Sequence, residues 1–381
     1  MPMNRLLKYL LGGLLLLGVA CSSVGKSPTD HFTEPIYQPT WAEGFELLAT
    51  PEGESTLLRV KSPWQGEVEH PFELLLLRGD EEAPRGFRGQ VLPHEPQRIV
   101  CFSSSHVALL DALGESDRIV GVSGLRFIHN EKIQQRKEHL REVGYDGNVD
   151  FEALLALECD LVLLYGVNGS CSMEPKLREL KIPFLYVGEY LEENPLGKSE
   201  WMVLLGELLN CRERAEASFG EIPERYNALK ERVLQAQKPA PKVMINTPYA
   251  DSWFMPSTKS YIARLIADAG GEYLYRANQT SRSLPIDLEE AALLSLEADI
   301  WINAGSALTL EEFKRELPKF AEIPCVRRGA VCNCNGRLNP SGGNDFWESG
   351  AVRPDLVLRD LVKLFHPELV EEPLYYYRIL E

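Results

Sequence analysis

The 381-residue chain is 44% hydrophobic and 25% charged, a balance that excludes bulk disorder, and its length favours two lobes over a single core. Its 56 acidic residues outnumber 40 basic ones, for a net charge of −16. Such a surface repels a phosphate backbone, which argues against nucleic acid as a partner.

At the N-terminus, Arg5 and Lys8 precede an apolar run over residues 9–17, then the small residues Gly18 and Ala20, then Cys21. This is the layout of an export signal over residues 1–20. A bilayer span needs about 20 apolar residues, so the run is too short to cross. The segment Leu17-Gly18-Val19-Ala20-Cys21 resembles a bacterial lipobox, although Gly18 stands where a larger aliphatic residue is usual. The resemblance implies acylation of Cys21 and an exported, membrane-anchored lipoprotein, with the periplasm the expected side and the outer surface the open alternative. Residues 21–43 then read as a tether. Residues 44–97 read as a small β extension, with strands over 46–49, 55–60 and 72–77, and a polar linker after Gly79.

From residue 98 the pattern becomes β/α. A strand over 98–102 ends in Ser103-Ser104-Ser105, followed by a helix over 106–113 and a strand over 118–122, an order that implies a parallel sheet. A helix over 151–157, a strand over 160–165, a helix over 174–180 and a strand over 183–187 complete an N-terminal lobe, 98–196. The apolar stripe Trp201, Leu204, Leu205, Leu208, Leu209 and its continuation through Phe219, Tyr226 and Val233 predict a long connecting helix over 197–236, bent or interrupted at Pro223. A C-terminal lobe, 237–381, follows with a strand over 242–246, helices over 260–269 and 288–296, a strand over 299–303 and a closing helix over 354–365. The expected fold is α/β, two doubly wound lobes joined by a long helix. An internal echo supports it: the run from Phe151-Glu152 to Asp160-Leu161-Val162 matches the run from Leu288-Glu289-Glu290 to Asp299-Ile300-Trp301.

In order and spacing, Arg98-Ile99-Val100 with Ser103-Ser104, Asp117-Arg118-Ile119-Val120-Gly121-Val122, Val143-Gly144, the Asp150 to Val162 run, Ser260-Tyr261-Ile262 and Asp268-Ala269-Gly270-Gly271 resemble the periplasmic solute-binding proteins of iron-siderophore, haem and cobalamin ABC importers. That resemblance implies the class III fold, a metal chelate as ligand, no intrinsic cofactor or catalysis, and a permease dimer with its ATPase as partner. It also implies a ligand cleft built from loops at the carboxyl ends of strands in both lobes. Carried over position by position, the cleft residues are Ser103, Ser104, Ser105, His106, Tyr145 and Tyr165 from the first lobe. The second lobe adds Tyr249, Trp253, Ser257, Trp347 and Arg353. Aromatic residues suit a flat chelate, and an arginine suits an anionic one. In the resembled family one acid per lobe docks on the permease; Glu152 holds that place in the first lobe and Glu289, with Glu290 adjacent, in the second.

His106 stands where many members of that family carry Glu. Facing the cleft it could ligate iron or bind a carboxylate, while the plainer reading is a helix-capping or satisfied histidine. Adjacent Ser105 and His106 do not read as a catalytic pair, because neighbours in one helical turn rarely face each other and no positioned acid is evident. Two alternatives belong to other classes: a bare zinc or manganese carrier, which needs converging His and carboxylate ligands, and a chelatase-like or nitrogenase-like enzyme of similar lobes, which needs a Cys cluster or phosphate loop. Seven cysteines remain after Cys21, an odd and scattered set that reads as buried thiols rather than a disulfide framework. The local pair Cys332 and Cys334 reads as two visits of a strand to one face.

Overall fold

Short alternating runs open the chain as a five-stranded sheet. In the computed structural model, which describes residues 27–66, 70–167, 169–250, 252–280 and 282–381, β1 (Glu34–Tyr37), β2 (Phe45–Ala49), β3 (Thr56–Val60), β4 (Phe72–Leu76) and β5 (Gln90–Leu92) pair in sequence order. The pairs are antiparallel up to β4 and parallel between β4 and β5. In β2 the residues Phe45, Leu47 and Ala49 are buried and Glu46 and Leu48 partly exposed, the period of two that a one-sided strand requires. The signal reading of residues 1–20 and the acylation site Cys21 lie outside the described residues. The sheet starts at Glu34, within the segment read as a tether, and β5 lies in the stretch read as a linker; each is too short for alternation to reveal it.

The extension has no separate main core. Phe45, Leu47, Leu58 and Val60 belong to the same continuous apolar cluster as the residues of both lobes. Three carboxylates fasten it to the body, Glu192 from the first lobe and Glu200 and Glu207 from the connecting region. Glu200 is fully buried and accepts the Tyr37 hydroxyl at 2.7 Å and the amides of Thr40, Trp41 and Ala42 at 2.8, 2.7 and 2.6 Å. Glu192 accepts the amides of Glu43 and Gly44 and the Trp201 indole. Glu207 accepts the Thr56 hydroxyl and the Arg78 guanidinium, both at 2.7 Å.

The first lobe comprises β6 (Ile99–Cys101), α1 (Ser104–Ala112), β7 (Ile119–Val122), α2 (Glu131–Gln135), β8 (Arg141–Glu142), the hairpin β9 (Gly144–Tyr145) and β10 (Asn148–Val149), α3 (Phe151–Ala156), β11 (Leu161–Leu164), α4 (Glu174–Leu180) and β12 (Phe184–Tyr186). Its sheet runs β12-β11-β6-β7-β8, parallel throughout. β6, β11 and β12 are buried at every position, as strands covered on both faces must be, which is why they read as unbroken apolar runs.

The connecting region is two helices, α5 (Pro195–Leu208) and α6 (Arg212–Ala236). The turn at residues 209–211 places Asn210 at φ +56°, a left-handed conformation that asparagine tolerates better than most residues. α6 continues through Pro223. The proline forfeits one intrahelical hydrogen bond, but Ala215, Phe219 and Ile222 before it and Tyr226, Leu229 and Val233 after it are buried along one stripe, and that packing holds both halves.

The second lobe contains β13 (Lys242–Ile245), β14 (Trp253–Met255), α7 (Tyr261–Asp268), β15 (Glu272–Tyr273), β16 (Leu284–Ile286), α8 (Leu288–Leu296), β17 (Ile300–Ile302), α9 (Leu310–Glu316), α10 (Pro324–Arg327), β18 (Cys332–Asn333), α11 (Pro354–Phe365) and β19 (Arg378–Ile379). β15, β13 and β17 form a parallel sheet in that order, β14 pairs with β16, and β18 pairs with β19. The chain is thus mixed α/β with two lobes, as expected. All seven described cysteines are free, and Cys332 and Cys334 are both buried.

Candidate functional site

Strand order locates the crevices. In the first lobe the chain leaves β6 toward β7 and returns on the other side at β11, so the direction of winding reverses between β6 and β11. Ser103 follows the carboxyl end of β6 and Tyr165 that of β11, which puts both at this switch point, the usual place for a ligand crevice. In the second lobe the reversal falls between β13 and β17, whose carboxyl ends carry Asn246 and Asn303. Both asparagines are left-handed, with φ of 67° and 54°. Buried side chains hold the two corners. The Trp301 indole donates to the Asn246 carbonyl at 2.8 Å, the Trp253 indole to the Ile245 carbonyl at 3.0 Å, and the Tyr377 hydroxyl to Asn303 Oδ1 at 2.8 Å.

Asn246 and Asn303 open on a cavity of about 230 Å³ between the lobes. The first lobe contributes Tyr190, Leu191, Glu192 and Glu193; the second adds Pro256, Ser257, Ser260, Tyr261, Ile262, Arg282 and Trp347. Tyr190 ties this wall to the switch point of its own lobe by donating its hydroxyl to the Gly166 carbonyl. Beside the cavity, in an adjoining hollow that shares Tyr261 and Trp347, Lys198 near the start of α5 holds its ammonium 4.2 Å from the Tyr261 ring and so links the connecting helix to the second lobe. Burial pushes the Lys198 amine below its ordinary range, while the charge of Glu189 works the other way. Glu189 is itself buried and pushed up by that burial; its Oε1 accepts the Ser105 hydroxyl at 2.6 Å and its Oε2 has no partner.

Of the residues singled out in the sequence, Ser257 and Trp347 line this cavity, Trp347 being 53% exposed. Tyr165 is partly exposed at the switch point. Tyr145 lines a different hollow, of about 680 Å³, which also spans the lobes through Asn339 and Ser341. Tyr249 is 80% exposed and borders neither space. Ser103 caps α1, accepting the Ser105 amide, and bonds the Ser105 hydroxyl at 2.8 Å; Ser105 is buried and Ser104 partly exposed in the first turn.

Two assignments are corrected, and a third residue lies apart from the cavity. His106 is fully buried, with neither ring nitrogen in a well-formed hydrogen bond, and its ring packs edge-on to Tyr165 at 6.4 Å. Burial pushes its imidazole down to about 3, against the opposing pull of the Leu163 backbone, and the buried ring is a neutral core group. Trp253 is fully buried and packs on Trp301 and Phe320, because β14 turns its alternate residues inward. Arg353 grips Asp355 through two hydrogen bonds of 2.9 and 2.8 Å at the start of α11, where Arg225 joins the same carboxylate. Sequence reasoning missed Tyr190, Asn246, Asn303 and Lys198. The asparagines carried a usable signal, since each follows directly on an apolar strand and tolerates the left-handed turn; the others carried none.

The acids expected at the permease, Glu152 and Glu289, are both exposed and hold the same local position. Each is the second residue after an aspartate cap, Asp150 accepting the Ala153 amide and Asp287 accepting the amides of Glu289 and Glu290. Glu290 lies one residue further on and is also exposed. Among the described residues no three His, Cys, Asp or Glu side chains cluster to hold a metal ion, and no helix is long and apolar enough to cross a membrane.

Residues 99–338 match the profile of a family described as periplasmic binding protein. An uncharacterized lipoprotein of Methanocaldococcus jannaschii is 26% identical over 282 residues, which cover 71% of this chain and 65% of that protein, slightly under two thirds of its length. Among solved structures, a periplasmic heme-binding protein from Pseudomonas aeruginosa superposes with a TM-score of 0.59 at 20% identity, over 75% of this chain and 98% of that one. A periplasmic binding protein from Veillonella parvula gives 0.58 at 13% identity, over 83% and 99%. The periplasmic vitamin B12 binding protein of Vibrio cholerae gives 0.52 at 14% identity, over 71% and 97%. These likenesses establish the two-lobe class III fold.

Proposed function

Since the chain belongs to the periplasmic binding protein family, we propose that it is the exported receptor of an ABC importer and captures a metal chelate, a ferric siderophore, haem or cobalamin, between its lobes. The observation that carries this reading is the cavity at the switch point of the second lobe, walled by Tyr190, Tyr261 and Trp347. Three rings in the lining supply broad contact for a flat ligand at little entropic cost. At about 230 Å³ the space falls below the ~300–1,000 Å³ usual for organic ligands, so a chelate would project past Trp347 or part the lobes slightly. The heme- and B12-binding proteins of similar fold support the ligand class. Mass spectrometry and visible absorption of the protein purified from its native membrane test it: a bound iron or cobalt chelate is expected, and a bare metal ion or an unrelated metabolite in its place overturns the reading.

Delivery is assigned to Glu152 and Glu289, whose matched positions after Asp150 and Asp287 suit a partner with two like sockets. Glu152→Ala with Glu289→Ala is expected to leave chelate affinity unchanged and to abolish most uptake in cells; wild-type uptake by the double variant removes both from the docking role. Anchoring is assigned to Cys21, and Cys21→Ser is expected to move the protein from the detergent phase to the aqueous phase on partition.

A further inference from the structure

We propose that the N-terminal extension forms a third wall of the ligand cavity and that Gln65 is its specificity-determining residue, a proposal that rests on the chelate-binding reading above. The segment 61–66 after β3 does not stay with its own sheet. It lies over the carboxyl ends of β11 and β12, where the Gln65 backbone N–H donates to the Val167 carbonyl at 3.1 Å and Trp64 packs edge-on to Tyr186 at 5.4 Å.

Two glycines of the first lobe make room for it. A Cβ on Gly166 would lie 3.0 Å from the Trp64 Cβ, and one on Gly188 would lie 3.2 Å from the Ser62 carbonyl oxygen, both tighter than ordinary contact. Gly166 follows β11 and Gly188 follows β12, so the segment crosses the first lobe where its strands end toward the crevice. Gln65 then lines the interlobe cavity together with Tyr190, Glu193 and Arg282.

The wall is held in place before any ligand arrives. Glu192, which accepts the amides of Glu43 and Gly44 from the extension, itself lines the cavity, and Glu200 and Glu207 secure β1 and β3. A primary amide in that lining presents two N–H donors and one carbonyl acceptor. With the Arg282 guanidinium in the same lining, Gln65 suits a carboxylate or carboxamide oxygen on the periphery of the chelate rather than its metal. The segment lies outside residues 99–338, so the wall is an addition to the part of the chain that matches the family.

The test is calorimetric titration of the intact exported protein and of Gln65→Ala, Gln65→Glu and Gln65→Trp with haemin, cyanocobalamin and ferrioxamine B. For each probe that the wild type binds, Gln65→Ala should weaken affinity about 5- to 10-fold, the loss of one hydrogen bond to a polar oxygen. Gln65→Trp should weaken it further by filling the cavity. Gln65→Glu keeps the shape and should select against haemin, whose periphery is anionic, and it reads the position even if the alanine variant folds poorly. Wild-type affinity in all three variants overturns the third wall and leaves the chelate-binding reading intact. A wild-type protein that binds none of the probes overturns both.

Discussion

A carboxylate with no protein cation beside it is an unusual choice for a fully buried position, yet Glu200 sits at one, in the middle of α5. What stabilises it is the set of donors around it: three consecutive backbone amides and the Tyr37 hydroxyl converge on its two oxygens. Burial and the neighbouring carboxylate push the Tyr37 phenol well above its ordinary value, so it remains a donor at any ordinary pH. The arrangement resembles an anion nest, with the anion covalently supplied by the other module. Glu200→Gln keeps the volume but turns an amide N–H₂ toward backbone N–H groups, leaving at least one buried donor unpaired. A loss of roughly 2–4 kcal/mol in urea unfolding is expected, with the transition remaining single because the extension shares the main apolar cluster. A loss below about 0.5 kcal/mol, or a separate early transition for the extension, contradicts the stapling role.

Among the elements, β14 shows how far the sequence could be read and where it could not. The apolar runs that became β6, β11 and β13 and the amphipathic runs that became α7 and α11 were legible because each is determined by its own residues. Trp253 was not, because a tryptophan just after a strand reads equally as a cleft aromatic or a core one. Its direction is set by pairing with β16, some thirty residues away in the chain. The same holds for His106, whose burial depends on what covers α1, and for Gln65, whose neighbours Val167 and Tyr190 are distant in sequence. Trp253→Ala is accordingly expected to behave as a core truncation. It should cost about 3–5 kcal/mol, and lower chelate affinity only through the lost support of the Ile245 carbonyl. Normal stability with lost affinity in thermal unfolding and titration would return Trp253 to the cleft.

At the level of the whole molecule, the lobes meet through a clamp on the side of β7. Glu348 of the second lobe accepts the amides of His129 and Asn130 of the first, each at 2.7 Å, while Asn339 donates to the carbonyls of Arg126 and Ile128. Burial, with Asp345 and Asp111 nearby, raises the Glu348 carboxyl to about 7, although the two amides favour its charged form. A carboxyl whose folded value lies above its unfolded value of 4.5 binds more protons in the folded state, so its contribution is present below 4.5 and is lost as the pH rises through 7. Between pH 4.5 and 7 the unfolding free energy of the wild type should fall relative to Glu348→Gln by at most about 3 kcal/mol; parallel pH profiles refute the assignment. The stapled extension also has a mechanical consequence. Because the extension is fixed to the first lobe through Glu192 and to α5 through Glu200, a lipid on Cys21 would leash that side of the molecule, by a length of chain no longer than roughly 45 Å when fully drawn out. The second lobe would lie on the far side of that hold, so that any yawning of the cavity moves the far jaw while the near one stays tethered.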